Sequence, residues 1–286
     1  ITTSDDYEHK GINYRMHPAN VGCLTVAEVD CATLANNHTL DWGERGLHDT
    51  ITTIHQAGIQ TAGAGENRGV ARAPAVLELQ SGTRVLVFSF GFGDSGIPRR
   101  WAADASAPGI WLLQRFSDDA VDEFARAVRE AKRPDDIVVA SVHWGPNWGY
   151  EVPESHRRFA HALIDRGGVD LVHGHSSHHR KAIEVHRGRL VLYGCGDFLN
   201  DYEGIPGREE YRGDLVLMYL PRLDPGSGRL LALQMAPFQI RRFRLQQPPQ
   251  QELDWLQEVL SRECRRFGSD VFQTDNGHFS LEWERG

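Results

Sequence analysis

Three apolar segments of this chain run directly into polar side chains able to bind a metal. They are CATLANNHTLDWG (31–43), DIVVASVHWG (136–145) and VDLVHGHSSHH (169–179). Uninterrupted apolar runs of this length suit strands buried on both faces, as in a parallel sheet covered by helices. In such sheets the loops and ligands gather at the carboxyl ends of the strands. The pattern therefore constrains the chain to a layered α/β architecture with one rim on which residues remote in sequence converge.

The segments between these strands carry helical spacing. Leu47, Ile51 and Ile54 predict a helix over about 44–57, with Gly58 just past its end. AVLELQ (75–80) and RVLVFSF (84–90) predict a strand pair around the Ser81-Gly82 turn. The Gly-, Pro- and Ala-rich stretch 91–110 predicts a long loop. A helix is expected from Ser117, with Val121, Phe124, Val128 and Ala131 on one face, and another over 154–167 carrying Phe159, Leu163 and Ile164. From 182 to about 243 the pattern is mostly β, and a last helix after Pro248-Pro249 turns Leu253, Leu256, Leu260 and Cys264 inward. With no internal repeat or low-complexity linker, a single mixed domain is expected, its core over 14–243 completed by a helix and strands over 248–284.

Charge and composition exclude some classes. A net charge of −8 over 286 residues argues against a nucleic-acid partner, which a basic face would announce. The longest apolar runs are too short to cross a bilayer, and no signal-peptide pattern is present. Cys23, Cys31, Cys195 and Cys264 are scattered, and predict buried thiols in a reducing, cytoplasmic setting. The opening ITTSDD, without an initiator Met, reads as cut from a longer polypeptide.

The strand-end residues have a chemistry in common. Imidazole and the Asn carbonyl oxygen are both ligands for a divalent transition metal such as Mn, Zn or Fe. Taken singly, each has a structural reading. His143 fits a hydrogen-bonded histidine as well as a ligand. His173 alternates with His175 and reads as packed or paired. The spacings 175/178 and 175/179 both bring two side chains to one side of a turn, so geometry leaves His178 and His179 equivalent. NNHTLD suits a strand-to-helix turn, where Asp41 either orients His38 or leads into the helix. Three such clusters at matching strand ends favour metal binding.

The stretch LANNHTLDWGERGLHDTITTIHQAGIQTAGAGEN, with VHWG, VHGHSSH and IEVHRGRLVLYGCGDFLND in order behind it, closely resembles the bacterial capsule synthesis CapA family, the poly-γ-glutamate biosynthesis proteins. The resemblance spans roughly residues 14–205. It implies a calcineurin-like metallophosphoesterase fold, a four-layer αββα sandwich with a two-metal site at the strand ends. By that resemblance Asn37 and His143 bind one metal with His175, His178 serves the other, and His38 is the general acid/base. The family's Gly-Asp strand and Asn-Leu-Glu segment have no counterpart here, its Gly-His-His-Pro-His reads GHSSH, and its Gly-Asn-Phe reads Gly196-Asp197-Phe198. Asp197 is read as capping a loop.

Trp148, after His143, and Arg100, in the 91–110 loop, are expected to touch an anionic or peptide-like substrate, since a guanidinium pairs with carboxylates and an indole covers apolar surface. Three activities fit: metal-dependent hydrolysis of a phosphoester or amide, metal-dependent Cα epimerisation of a peptide, and non-catalytic holding of polyglutamate.

Overall fold

The computed structural model describes residues 1–200 and 205–284. The chain groups into two compact units, 1–145 with 165–169 and 146–164 with 170–286, where the sequence suggests a single domain.

The first unit opens with a long irregular segment and a short helix, α1 (Gly22–Val26). Strand β1 (Cys31–Thr33), helix α2 (Gly43–Gln56) and strand β2 (Gln60–Ala62) follow. The two strands are parallel, with Cys31 opposite Gln60, so α2 is the crossover of a βαβ unit. Helix α2 buries Leu47 and Ile54 and stops at Gly58, whose φ of 79° lies in the left-handed region that glycine enters without a steric cost. Next come β3 (Ala64–Gly65), the single turn α3 (Arg68–Ala71), β4 (Ala75–Glu78) and β5 (Arg84–Phe92). Strands β4 and β5 form the expected antiparallel hairpin.

The stretch 91–110 is more ordered than its composition predicts. It holds 3-10 turns at Gly93–Ser95 and Arg99–Trp101 and ends in β6 (Gly109–Ile110), which pairs with β3. The reason is burial: Ile97 and Trp101 pack into the core, and their side chains fix a backbone that Gly and Pro would otherwise leave loose. Strand β7 (Leu112–Leu113) lies parallel to β5. In α4 (Asp118–Ala131), the Ser117 hydroxyl accepts from the Ala120 N–H, and Asp118 and Asp119 face the positive end of the helix dipole. Its inner face buries Val121, Phe124 and Val128, with the Phe124 ring stacked on Trp111 at 5.7 Å. Strand β8 (Ile137–His143) runs parallel to β5 in a register that sets Gly91 opposite His143.

The second unit contains most of α5 (Glu154–Asp165) and then β9 (Leu171–His175), β10 (Ile183–His186) and β11 (Arg189–Leu192). Strand β11 pairs with β9 in parallel and with β10 in antiparallel. A further sheet follows: β12 (Leu215–Leu223), β13 (Leu230–Arg241) and β14 (Arg244–Gln246), then α6 (Gln250–Arg265), β15 (Ser269–Gln273) and β16 (Phe279–Trp283). Its order is β12-β13-β16-β15 with β14 also on β13. Helix α6 buries Leu253, Leu256, Leu260 and Cys264 as its spacing predicts. Each such aliphatic side chain contributes on the order of 1.5–3 kcal/mol.

All four cysteines are free, but they are not all buried as expected: Cys23 is exposed and only Cys264 is fully enclosed. Burial pushes the Cys264 thiol up to about 12, and its sulfur accepts the Ile183 N–H of β10. No helix among the described residues is long and apolar enough to cross a membrane.

Candidate functional site

The turn NNHTLD at the end of β1 is built by its own side chains. Asn36 Oδ1 accepts the His38 N–H at 2.8 Å, and the Thr39 hydroxyl donates back to the Leu34 carbonyl. This folds the chain sharply and presents Asn37 and His38 before α2 begins. His38 Nδ1 lies 2.8 Å from Asp41 Oδ2. Asp41 is fully buried. Its Oδ2 also accepts the Tyr14 N–H at 2.8 Å, and its Oδ1 accepts from Lys10 Nζ at 2.6 Å. Burial alone would raise the Asp41 pKa, but the hydrogen bonds from His38, Lys10 and Tyr14 outweigh it, and the carboxyl is held below its ordinary range.

An ionised Asp41 is only an acceptor, so Nδ1 of His38 carries the proton it donates. In the neutral ring Nε2 then keeps the lone pair. The one hydrogen bond this imidazole makes among the described residues is thus from Nδ1 to Asp41; the Lys10 ammonium, 3.3 Å from the same nitrogen, is held there by the Asp41 carboxylate they share. Asp41 thus orients His38, the functional one of the two roles the sequence left open.

Residues 8–14, which carry no helical or strand period, form a strap across this turn. The Glu8 N–H and the Asn13 amide both donate to the Asp41 carbonyl. Lys10 Nζ donates to the Asn37 carbonyl at 2.5 Å, and the Tyr14 ring stands edge-on to His38 at 4.5 Å. Sequence reasoning missed Lys10 and Tyr14, and no motif marks them.

His143, Asn37 and Arg100 also belong to this unit. His143 is buried at the end of β8. A Cβ on Gly91 would collide with Ile97 and stand 3.5 Å from both the Ala35 carbonyl oxygen and His143 Cβ, so β1 and β8 flank the end of β5 closely. The 93–96 turn ties them further: the Ser95 hydroxyl lies 3.3 Å from the His143 carbonyl, and a Cβ on Gly96 would lie 3.7 Å from Asn37 Nδ2. The structure therefore brings Asn37 and His143 to one edge. Arg100 is engaged by the chain itself, its guanidinium donating to Glu8 Oε2 at 2.5 Å.

In the second unit His175 ends β9 and lies beside His173, ring centres 5.4 Å apart. Burial pushes His173 down to about 4, so it is neutral at pH 7, consistent with a packed residue. Ser176 follows with φ 117°, a conformation costing an L residue on the order of 1–3 kcal/mol. His178 Nδ1 lies 3.0 Å from Asp197 Oδ2. Asp197 therefore pairs with a histidine, beyond the loop-capping role read from sequence. Trp148 stands over this segment, 5.5 Å from His178 and stacked on His179 at 6.0 Å.

Trp148 also lines a pocket of about 330 Å³ with Ile205, Pro206, Arg208 and Arg212. Its far wall is anchored by Arg180, a buried guanidinium that donates to the carbonyls of Tyr211, Arg212 and Leu215 and packs 4.7 Å from the Trp255 ring. Sequence reasoning missed Arg180, because a lone arginine after a histidine cluster reads as surface.

The donors expected for a metal are thus Asn37 and His143 in one unit and His175 and His178 in the other. Among the described residues no group of three or more His, Cys, Asp or Glu side chains is gathered as a bound ion requires.

Comparison with known proteins identifies the relatives. The model of a family described as bacterial capsule synthesis protein PGA_cap matches residues 1–202. The chain belongs to this family. A Mycobacterium tuberculosis protein named "probable polyglutamine synthesis accessory protein" is 46% identical over 273 residues, covering 95% of this chain and 72% of the relative. The PGA biosynthesis protein CapA of Bacillus subtilis is 25% identical over 285 residues, 99% of this chain and 70% of that protein. The capsule biosynthesis protein CapA of Bacillus anthracis is 28% identical over 192 residues, 67% of this chain and 45% of that protein. Membership bears out the resemblance read from the motifs, and the α/β fold class is the metallophosphoesterase-like sandwich of that family.

Proposed function

We propose that this protein acts on a glutamate-rich, anionic polymer or peptide in capsule-type polymer synthesis, with His38 as the proton-transfer residue of a hydrolytic reaction. The observation that carries the reading is the Lys10–Asp41–His38 chain of contacts. A buried carboxylate fixes the tautomer and ring plane of a histidine and leaves Nε2 for chemistry. That arrangement suits general acid–base work on a leaving group or an attacking water. The names of the relatives supply the polymer; the turn at the end of β1 supplies the proton handling. Divalent metal binding by Asn37, His143, His175 and His178 is a further part of this proposal.

The test is to incubate the protein with γ-linked polyglutamate and follow polymer length and new amine ends, with and without added Mn²⁺. The expected result is shortening that disappears in His38→Ala with the fold retained. Unchanged shortening in His38→Ala would remove this residue from the mechanism. The name of one relative, an accessory protein of synthesis, favours a second reading, in which the protein holds the polymer without cleaving it. Binding without shortening, undiminished in His38→Ala, would establish that reading instead.

A further inference from the structure

The strap over the β1 turn brings Glu8 and Lys10 to Arg100 and to the core residue Trp101. Glu8 Oε2 accepts from the Arg100 guanidinium at 2.5 Å, and both side chains reach solvent, Arg100 being 63% and Glu8 28% exposed. The Trp101 indole N–H is enclosed without a hydrogen bond of good geometry, yet it lies close enough to the Glu8 carboxylate to help hold it ionised. Lys10 places its ammonium 5.0 Å above the Trp101 ring and acts on Glu8 through space. A glutamate carboxylate is therefore surrounded by a guanidinium, an indole donor and an ammonium. The Arg100 hydrogen bond leads the effects holding the Glu8 pKa below its ordinary range.

We infer that the Arg100–Trp101–Lys10 cradle is a subsite for a glutamyl side-chain carboxylate of the substrate, and that Glu8 is an internal occupant which the substrate displaces. The inference rests on the polymer reading above for the identity of the ligand. The chain itself shows what the cradle accepts: a carboxylate on a two-carbon stem, carried by a peptide backbone. The subsite is also local to the proposed chemistry, because Lys10 Nζ stands 3.3 Å from His38 Nδ1. A guanidinium and an indole N–H at fixed positions distinguish a carboxylate from an amide of the same shape, since the amide nitrogen would face two donors. The exchange costs little. An exposed ion pair contributes about 1 kcal/mol or less, so an incoming carboxylate of equal chemistry competes on near-even terms.

Binding of a γ-linked glutamate hexamer and of its glutamine counterpart is measured for the native chain and for Glu8→Gln, Glu8→Ala and Arg100→Gln. The indole N–H resonance of Trp101 is followed during titration with N-acetylglutamate. The cradle predicts that both Glu8 variants bind the glutamate hexamer about two- to fivefold more tightly, the range expected for removing a competing surface ion pair. It predicts that Arg100→Gln binds more weakly, and that the glutamine hexamer shows neither effect. N-acetylglutamate should move the Trp101 resonance at lower concentration in Glu8→Gln than in the native chain.

If the hexamer binds equally to all four proteins, the cradle is wrong and the polymer reading stands. If the hexamer binds none of them but N-acetylglutamate still moves Trp101 in Glu8→Gln, the cradle stands and the polymer reading falls. A Trp101 resonance indifferent to N-acetylglutamate in every variant overturns the cradle.

Discussion

Asp41 and Glu184 are both buried carboxylates, each beside a histidine, and they put the same physics to different use. Glu184 sits on β10 and accepts from Tyr193 Oη at 2.5 Å and Arg157 at 3.0 Å, with His161 Nε2 at 3.1 Å in ion-pair reach. Burial opposes its ionisation, but the donors His161, Tyr193 and Arg157 prevail and hold it down to about 2. The His161 ring is stacked flat on His186 at 3.7 Å, so this imidazole is spent on packing at one face and on Glu184 at its Nε2. Asp41 takes the opposite nitrogen, Nδ1 of His38, and leaves Nε2 available. The comparison teaches that a His–carboxylate pair is not a site in itself. What matters is which nitrogen the carboxylate holds and whether the other one is left for a substrate.

The sharpest way to break this comparison is to remove each acid. Glu184→Ala strands a buried tyrosine hydroxyl and a guanidinium, and is expected to cost about 3–5 kcal/mol of stability, read as a lower urea midpoint. Asp41→Asn should cost less, about 1–3 kcal/mol, because the amide oxygen still accepts from one donor. Its turnover, however, should fall by roughly a hundredfold or more with the histidine tautomer no longer fixed. If Asp41→Asn keeps full turnover, or Glu184→Ala loses turnover at unchanged stability, the division of roles is reversed.

Acid sensitivity refines the contrast. A glutamate whose folded pKa is depressed adds stability that is complete above its ordinary unfolded range and is lost as pH falls toward about 2. Unfolding free energy measured from pH 6 downward should therefore drop steeply in the native chain and less steeply in Glu184→Gln. Smaller again is the effect of His143→Ala. Elemental analysis should show reduced metal content with the fold little changed; full stoichiometric metal would discard His143 as a ligand. The smallest effect is expected for His161→Ala, under about 1 kcal/mol, since Arg157 and Tyr193 continue to hold Glu184.

Much of the scaffold was legible because periodicity reports burial. Leu47 and Ile54 mark α2, Val121, Phe124 and Val128 mark α4, and VHWG marks the end of β8. Of the site, NNHTLD announced its turn and its histidine, since Asn and Asp side chains make local bonds that favour such turns. Lys10, Tyr14 and Glu8 were invisible for the converse reason. They act from an irregular strap whose conformation is set by hydrogen bonds to Asp41 and carries no repeat. Glu184 gives no sequence signal either: a charged residue in a strand is ordinarily solvent-facing, and only the donors Tyr193 and Arg157 make its burial tolerable. Arg100 is expected from sequence to meet a substrate carboxylate; the carboxylate it meets in the structure is Glu8, 92 residues away in the chain, a pairing that leaves no local trace.

The guanidinium of Arg180 has a consequence for how such a protein can diversify. Its donors meet main-chain oxygens of Tyr211, Arg212 and Leu215, atoms that every amino acid possesses. The segment it grips can exchange its side chains without slipping its mooring. The wall lined by this segment is thus open to revision by point mutation while the backbone beneath stays where it is.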